Sequence, residues 1–178
     1  MLQGHQLAAL KQEAQERVTE DEARQLSRRC ELLGLGDEPF LATAPHNAFL
    51  CRDGQPMHTL EEYTRLLACN LARELGGSAL FWSQETQWRT ELQYALGHRR
   101  KALGNIQSVA EALDPSNRDP NFLLPQELPE NAWFCKLRAW AAVRNARCTL
   151  HVDVHGCQDP PKHPAHVMLG LAAMRQHA

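Results

Sequence analysis

The chain has 178 residues, of which 43 % are hydrophobic and 22 % are charged, and its formal net charge at pH 7 is −2. These values are typical of one soluble globular domain with a real core. A charge this close to zero disfavours nucleic acid and anionic lipid as partners, and no apolar run is long enough to span a membrane.

The spacing of the cysteines indicates the redox environment in which the protein is expected. No two of the cysteines have the C-x-x-C spacing of a structural zinc site or a redox motif. We interpret them all as reduced thiols, which predicts a reducing compartment and a cytoplasmic location. The N-terminus also lacks the apolar core of a signal peptide. The six positions are Cys30, Cys51, Cys69, Cys135, Cys148 and Cys157.

Helical and strand-like segments alternate along the chain. Residues 1–36 are predicted to form an N-terminal helical segment, with helices within 5–33, and residues 37–178 a single domain. In that domain the predicted strands are 40–45, 78–83 and 148–154, and the predicted helices are 59–75, stretches of 86–113, 130–146 and 165–178. A loop rich in Pro and Asn covers 114–129, and a turn covers 159–164. This alternation predicts an α/β fold with a mostly parallel central sheet.

Two histidines directly follow predicted strands. His46 comes after the strand 40–45, and His155 comes after the strand 148–154. Ligands of such sheets bind at the carboxyl ends of the strands, so neighbouring strands would bring the two imidazoles to one edge. A catalytic zinc is often held by two histidines and one carboxylate. Glu62, in the first turn of the next helix, is the predicted carboxylate, and Glu61 is its alternative; an ordinary acid at a helix start is the other interpretation.

Further polar residues lie close to these positions in the sequence. Asp153 is two residues before His155, on the same face of a strand, where it could orient the imidazole or a water molecule, or be only a polar strand end. Asn117 and Arg118 lie in the loop 114–129, and an arginine fork suits a substrate carboxylate. The alternative is a solvated loop arginine that forms a salt bridge with Asp114 or Asp119.

Four stretches together resemble the N-formylglutamate amidohydrolase family, which belongs to the carboxypeptidase-like zinc hydrolases. They are "PHNAF" (45–49), "HTLEEYTRLLACNLARELGG" (58–77), "DPSNRDPN" (114–121) and "HVDVHGCQDPP" (151–161). The resemblance covers about residues 39–172 in the correct order. It implies a three-layer α/β fold with a mixed, mostly parallel central sheet.

The resemblance also implies a function. Zinc would be held by His46, Glu62 and His155, and Asn117 and Arg118 would grip the carboxylate of a small substrate. The implied reaction is hydrolysis of an amide bond in an N-acyl amino acid, with zinc activating a water molecule and polarising the carbonyl.

The sequence departs from this family at three places. Asp114 lies one position earlier than the acid that the family has before the Asn-Arg pair. Phe49 occupies the position where carboxypeptidases have an acid, three residues after the first histidine. The family's general-base glutamate is expected on a late strand, but residues 157–178 contain no Glu and only one acid, Asp159. Asp153 and Asp159 are therefore the candidate catalytic acids. The chain is interpreted either as the front part of a larger domain or as a shortened relative that binds a metal or ligand without turnover.

Two other functions are compatible with the sequence. An apolar stripe in the N-terminal segment, formed by Leu7, Leu10, Ala14 and Val18, would suit a scaffold protein that binds a partner, or docking on the chain's own core. Cys157 follows "HG" in a turn and would suit a cysteine hydrolase, although nothing else in the sequence indicates a low thiol pKa there.

Overall fold

The structure, a computed structural model, describes residues 28–129, 131–144 and 150–156. In these residues four strands form an open mixed sheet with the order β1-β3-β2-β4. The strands are β1 (Cys30–Gly34), β2 (Phe40–Ala44), β3 (Ser78–Trp82) and β4 (Leu150–Asp153). β2 runs parallel to both β3 and β4, whereas β1 is antiparallel to β3. The α/β class expected from the alternating pattern is confirmed.

Helices connect and cover these strands. The α-helices are α1 (Thr64–Glu74), α2 (Gln84–Ala102) and α3 (Ala132–Arg144), and two short 3-10 helices cover Val109–Ala112 and Pro120–Phe122. Ser83 caps α2 by accepting a hydrogen bond from the Thr86 amide, and the segment after α2 turns at Gly104, whose φ is +75°. No helix in the described ranges combines the length and the apolarity that crossing a bilayer requires.

Alternate side chains of the sheet face two different helices. Leu80 and Trp82 pack in one buried cluster with Trp133 and Trp140 of α3. The other face carries alanines together with Phe40 and Phe81, and α1 packs there through its own alanines. Because alternate residues of a strand point to opposite faces, the five-residue strands β2 and β3 can be fully buried on both sides. The sheet therefore lies between two helical layers.

Most predicted boundaries agree with the structure. The strands predicted at 40–45 and 78–83 are β2 and β3, and α1 ends just before Gly76, which adopts a φ of +67° that favours glycine. The helix predicted at 130–146 contains α3, and the strand predicted at 148–154 contains β4. The turn 159–164, the helix 165–178 and residues 1–27 lie outside the described residues.

Two local predictions were wrong. Cys30–Gly34 form the strand β1 instead of the end of a helix, because pairing with β3 and burial of Cys30 outweigh the helix propensity of the Glu-Leu-Leu run. The helix predicted to follow Thr59 begins only at Thr64, because the amide of Glu61 is bound to the carbonyl of His46 and holds the preceding segment outside the helix.

Candidate metal centre

The carboxyl ends of β2 and β4 place His46 and His155 side by side. The two strands are parallel neighbours, so the residues that follow them leave the sheet at the same edge. Nδ1 of His46 lies 3.1 Å from Nδ1 of His155, and the ring centroids are 4.8 Å apart. His46 is buried, whereas about 39 % of the His155 side chain is exposed. The pair is therefore accessible to solvent from the side of His155.

The carboxylate beside these imidazoles belongs to Glu61, and not to Glu62 as the sequence suggested. Oε1 of Glu61 is 3.0 Å from Nδ1 of His46, and Oε2 is 3.7 Å from Nδ1 of His155. The amide of Gly156 donates a hydrogen bond of 2.8 Å to Oε2. Glu62 is exposed. The backbone hydrogen bond from the Glu61 amide to the His46 carbonyl directs the side chain of Glu61 toward the imidazoles and that of Glu62 toward solvent.

His46, Glu61 and His155 form a group of metal-ligating type. Their donor atoms all lie within 4.8 Å of one another. Two ligands of a tetrahedral zinc, each about 2.0–2.1 Å from the ion, lie roughly 3.3 Å apart. The two imidazole nitrogens are 3.1 Å apart, and the carboxylate comes within 3.0 Å of His46 through Oε1 and within 3.7 Å of His155 through Oε2, which are values close to that separation. Two imidazoles and one carboxylate thus fit zinc in both chemistry and spacing.

Asp119 fixes the orientation of the His46 ring, a role that no local sequence pattern indicates. Its buried carboxylate accepts a hydrogen bond of 3.1 Å from Nε2 of His46 and another of 2.6 Å from Nε of Arg52. Burial alone would raise the pKa of Asp119, but bonds from His46, the Asn121 amide and Arg52 outweigh it and lower the pKa to about 2. An ionised carboxylate only accepts, so Nε2 of His46 carries the proton and Nδ1 faces the metal group.

The charges of the group are strongly coupled in the metal-free protein. Burial disfavours the imidazolium of His46, but hydrogen bonds to Asp119 and Glu61 outweigh it and raise the pKa of His46 to about 9. Burial likewise opposes the charge of Glu61, yet bonds from His155, His46 and His58 and from the Gly156 amide hold its pKa well below the usual range. Both carboxylates are therefore ionised at pH 7, and in the metal-free protein they hold His46 between them as an imidazolium, with Nε2 facing Asp119 and Nδ1 facing Glu61.

His58 packs against the same group. Its ring stacks on His46 with a centroid separation of 3.7 Å. Nδ1 donates a 2.6 Å hydrogen bond to the carbonyl of Thr59, and Nε2 lies 3.3 Å from Oε1 of Glu61. His58 lies within the motif 58–77, which gave the only sequence signal for it. The residue shields His46 from solvent and helps to position Glu61.

The structure separates the side chains of Asn117 and Arg118. Asn117 is fully buried, and its Oδ1 accepts a hydrogen bond of 3.4 Å from Arg29. Arg118 forms a two-pronged ion pair with Asp53, one prong measuring 2.7 Å, and a second ion pair of 3.2 Å with Glu127. Arg118 is thus paired with carboxylates of its own chain, as the alternative interpretation expects. Its partners, however, are not Asp114 or Asp119.

Of the two candidate catalytic acids, only Asp153 lies within the described residues. Asp153 accepts a hydrogen bond from the hydroxyl of Thr43 and lies 3.2 Å from Nε2 of His151. Burial would raise the pKa of Asp153, but the bonds to His151 and Thr43 lower it. The contacts of Asp153 therefore run to its strand neighbours rather than to the imidazole of His155. Asp159 lies outside the described residues, as does Cys157.

Three comparisons were made with known proteins. No protein-family model, no curated protein and no solved structure matches the chain. The resemblance to the N-formylglutamate amidohydrolase family therefore stays a prediction from the sequence motifs. What the chain can do chemically follows from the geometry of the His46, Glu61 and His155 group.

Proposed function

We propose that this chain is a zinc-dependent amidohydrolase that cleaves the acyl group from an N-acyl, formyl-like amino acid or a similar small carboxylate. His46, Glu61 and His155 would hold the zinc. The mixed sheet with helices is consistent with the zinc-carboxypeptidase type of fold that the motifs imply. The free thiols of Cys30, Cys51, Cys69 and Cys135 are consistent with the cytoplasmic location that we propose.

One observation carries this proposal: three side chains of metal-ligating type converge on a single small space. Nδ1 of His46 faces inward because Nε2 donates to Asp119, and the oxygens of Glu61 and Nδ1 of His155 surround the same space. Such atoms repel one another unless a cation lies between them. A proton on His46 can supply that charge, and a divalent metal held by the same three side chains can replace it.

Each neighbouring residue has a role in this proposal. A zinc ion in such a site acts as a Lewis acid and lowers the pKa of its bound water to about 7. Asp119 holds the His46 ring in the ligating orientation, and the Gly156 amide holds the carboxylate of Glu61. The partial exposure of His155 leaves an approach for substrate and water.

Two proton-transfer candidates and one substrate anchor remain from the sequence. Asp153 and Asp159 are the candidates for proton transfer, and Asp153 would have to exchange its bond with Thr43 to serve in that role. Arg118 would have to exchange Asp53 for the carboxylate of a substrate. The second candidate function is metal or ligand binding without turnover. It is favoured because Asp153 and Arg118 are already bound to other side chains of the chain.

Metal analysis followed by an activity assay tests the proposal. Protein purified without chelator is expected to contain about one zinc per chain, and His155→Ala is expected to lose it, because a three-ligand site rarely survives removal of one ligand. His98→Ala is the matched control, since His98 is exposed on α2 and contacts Tyr94. The absence of stoichiometric zinc in the wild-type protein would overturn the proposal.

Hydrolysis distinguishes the two candidate functions. The zinc-loaded protein is offered N-formyl and N-acetyl amino acids, and free amino acid is measured. Turnover that is lost with zinc in His155→Ala would support the hydrolase. Stoichiometric zinc with no turnover on any of these compounds would support the non-catalytic alternative.

A further inference from the structure

A cavity of about 400 Å³ lies beside the candidate metal centre. It is found where β2 and β3 end, between the first turn of α1 and the start of α2, and its wall includes Asn47, Arg65 and Gln84. Glu61 lines this cavity and also belongs to the metal group. The metal group lies at the ends of β4 and β2, so the cavity is the next position along the same edge. Its volume is in the range of pockets that bind small molecules.

Arg65 supplies the positive charge of this cavity. Its guanidinium lies 5.6 Å from the ring centroid of Phe81, and its side chain is half-buried. In the described part of the chain, Arg65 takes part in no ion pair with a carboxylate. Two other arginines near the site differ in this respect, because Asp119 pairs with Arg52 and Asp53 pairs with Arg118. Arg65 is thus available to an anionic ligand without first breaking an ion pair.

The remaining walls limit what such a ligand can be. Gln84 and Gln87 line the cavity with amide groups, while Tyr63 and Leu66 give it an apolar and exposed side. Two further carboxylates, Glu62 and Glu91, also line it, and Oε1 of Glu91 accepts a 2.9 Å hydrogen bond from Gln87. Arg65 can pair with one carboxylate, whereas a second carboxylate would meet only the acids of the described lining and no further cation.

We propose that this cavity is the substrate pocket and that Arg65, rather than Arg118, binds the substrate's carboxylate. The preferred ligand is an N-acyl amino acid with one carboxylate and a neutral, apolar side chain. Its acyl carbonyl would lie toward Glu61 and the metal group, and its carboxylate would meet the fork of Arg65. This inference rests on the proposed amidohydrolase function, but the charge of the pocket can be tested without it.

Binding of three small probes tests the assignment. The probes are N-acetyl-L-leucine, its carboxamide, and N-acetyl-L-glutamate, measured by calorimetry on zinc-loaded and on chelator-treated protein. The wild type is expected to bind N-acetyl-L-leucine at least tenfold more tightly than either other probe, since a charged hydrogen-bonding pair is lost in one case and a like charge is added in the other. Equal binding of all three probes would overturn the proposal.

Variants identify the arginine. Arg65→Met is expected to remove the preference for the acid over the carboxamide, and Arg73→Met is the matched control because Arg73 lies on the same helix and bonds to Asn70. Loss of the preference in Arg118→Met but not in Arg65→Met would overturn the assignment. Circular dichroism verifies that each variant folds, and Arg65→Lys provides a milder second variant that should keep part of the preference.

The two proposals can fail separately. A wild-type protein without zinc would remove the hydrolase, yet Arg65-dependent binding of N-acetyl-L-leucine by the chelator-treated protein would still support the pocket. A zinc-loaded protein with turnover that is insensitive to Arg65→Met would keep the hydrolase and remove the pocket.

Discussion

Replacing Asp119 by asparagine removes one buried negative charge with little change in shape. The carboxylate is fully buried and accepts bonds from His46, the Asn121 amide and Arg52. Removing one member of a buried ion pair costs about 3–5 kcal/mol, because its partner stays buried without compensation. Arg52 keeps some exposure, about 19 % of its side chain, so we expect the lower end, about 3 kcal/mol of unfolding free energy. Zinc affinity should also fall about 10- to 100-fold, since loss of a group that orients a metal ligand typically has this effect.

Urea denaturation at pH 7 in the presence of chelator measures the first quantity, and competition with a chromophoric chelator measures the second. Asp53→Asn is the matched control: it also breaks an aspartate–arginine ion pair, but about 74 % of the Asp53 side chain is exposed. Such exposed pairs contribute little to stability, and no contact joins Asp53 to the metal group in the described part of the chain. If Asp119→Asn and Asp53→Asn had the same stability and the same zinc affinity, the role given to Asp119 would be refuted.

Three further predictions concern the metal group and the packing of α2. Glu61→Gln should lose stoichiometric zinc while Glu62→Gln keeps it, as measured by elemental analysis; retention in both would contradict the choice of ligand. In the metal-free protein, the raised pKa of His46 stabilises the fold fully below about pH 6.5, and this stability, about 3 kcal/mol, is lost as pH rises through 9; a flat urea-denaturation profile across this window would argue against it. Gly97→Ala should lower the unfolding free energy by about 1–3 kcal/mol, because the new Cβ would lie 2.8 Å from Cγ1 of Val109; an unchanged melting temperature would show that the packing can adjust.

Features that depend on short-range patterns were predictable from the sequence. The strands β2 and β3 are short apolar runs that end at Pro or at polar residues. The glycine pair after α1 indicates where that helix ends, because glycine readily adopts a positive φ. The meeting of His46 and His155 followed from one topological rule about the carboxyl ends of parallel neighbours. These signals need no knowledge of distant side chains.

Other features depend on contacts that the sequence does not reveal. The choice between Glu61 and Glu62 is a difference of one residue in register, and a backbone bond to His46 decides it. Asp119 is 73 residues away from the histidine that it orients, so no local pattern indicated the pair. The strand β1 was missed because its partner β3 lies about 50 residues later and the Glu-Leu-Leu run favours a helix in isolation.

The position of β4 gives a bound metal a mechanical role as well as a chemical one. In the described part of the sheet, β4 is at the margin and pairs only with β2, and it carries His155 just beyond its last residue. A strand held along one side opens more easily than an inner strand, and such opening is measured as faster exchange of its backbone amide hydrogens. A metal bound by His155, His46 and Glu61 would link the end of this outermost strand to the residues that follow β2. Occupancy of the centre would therefore slow exchange along β4 far more than along β3, which is paired on both sides.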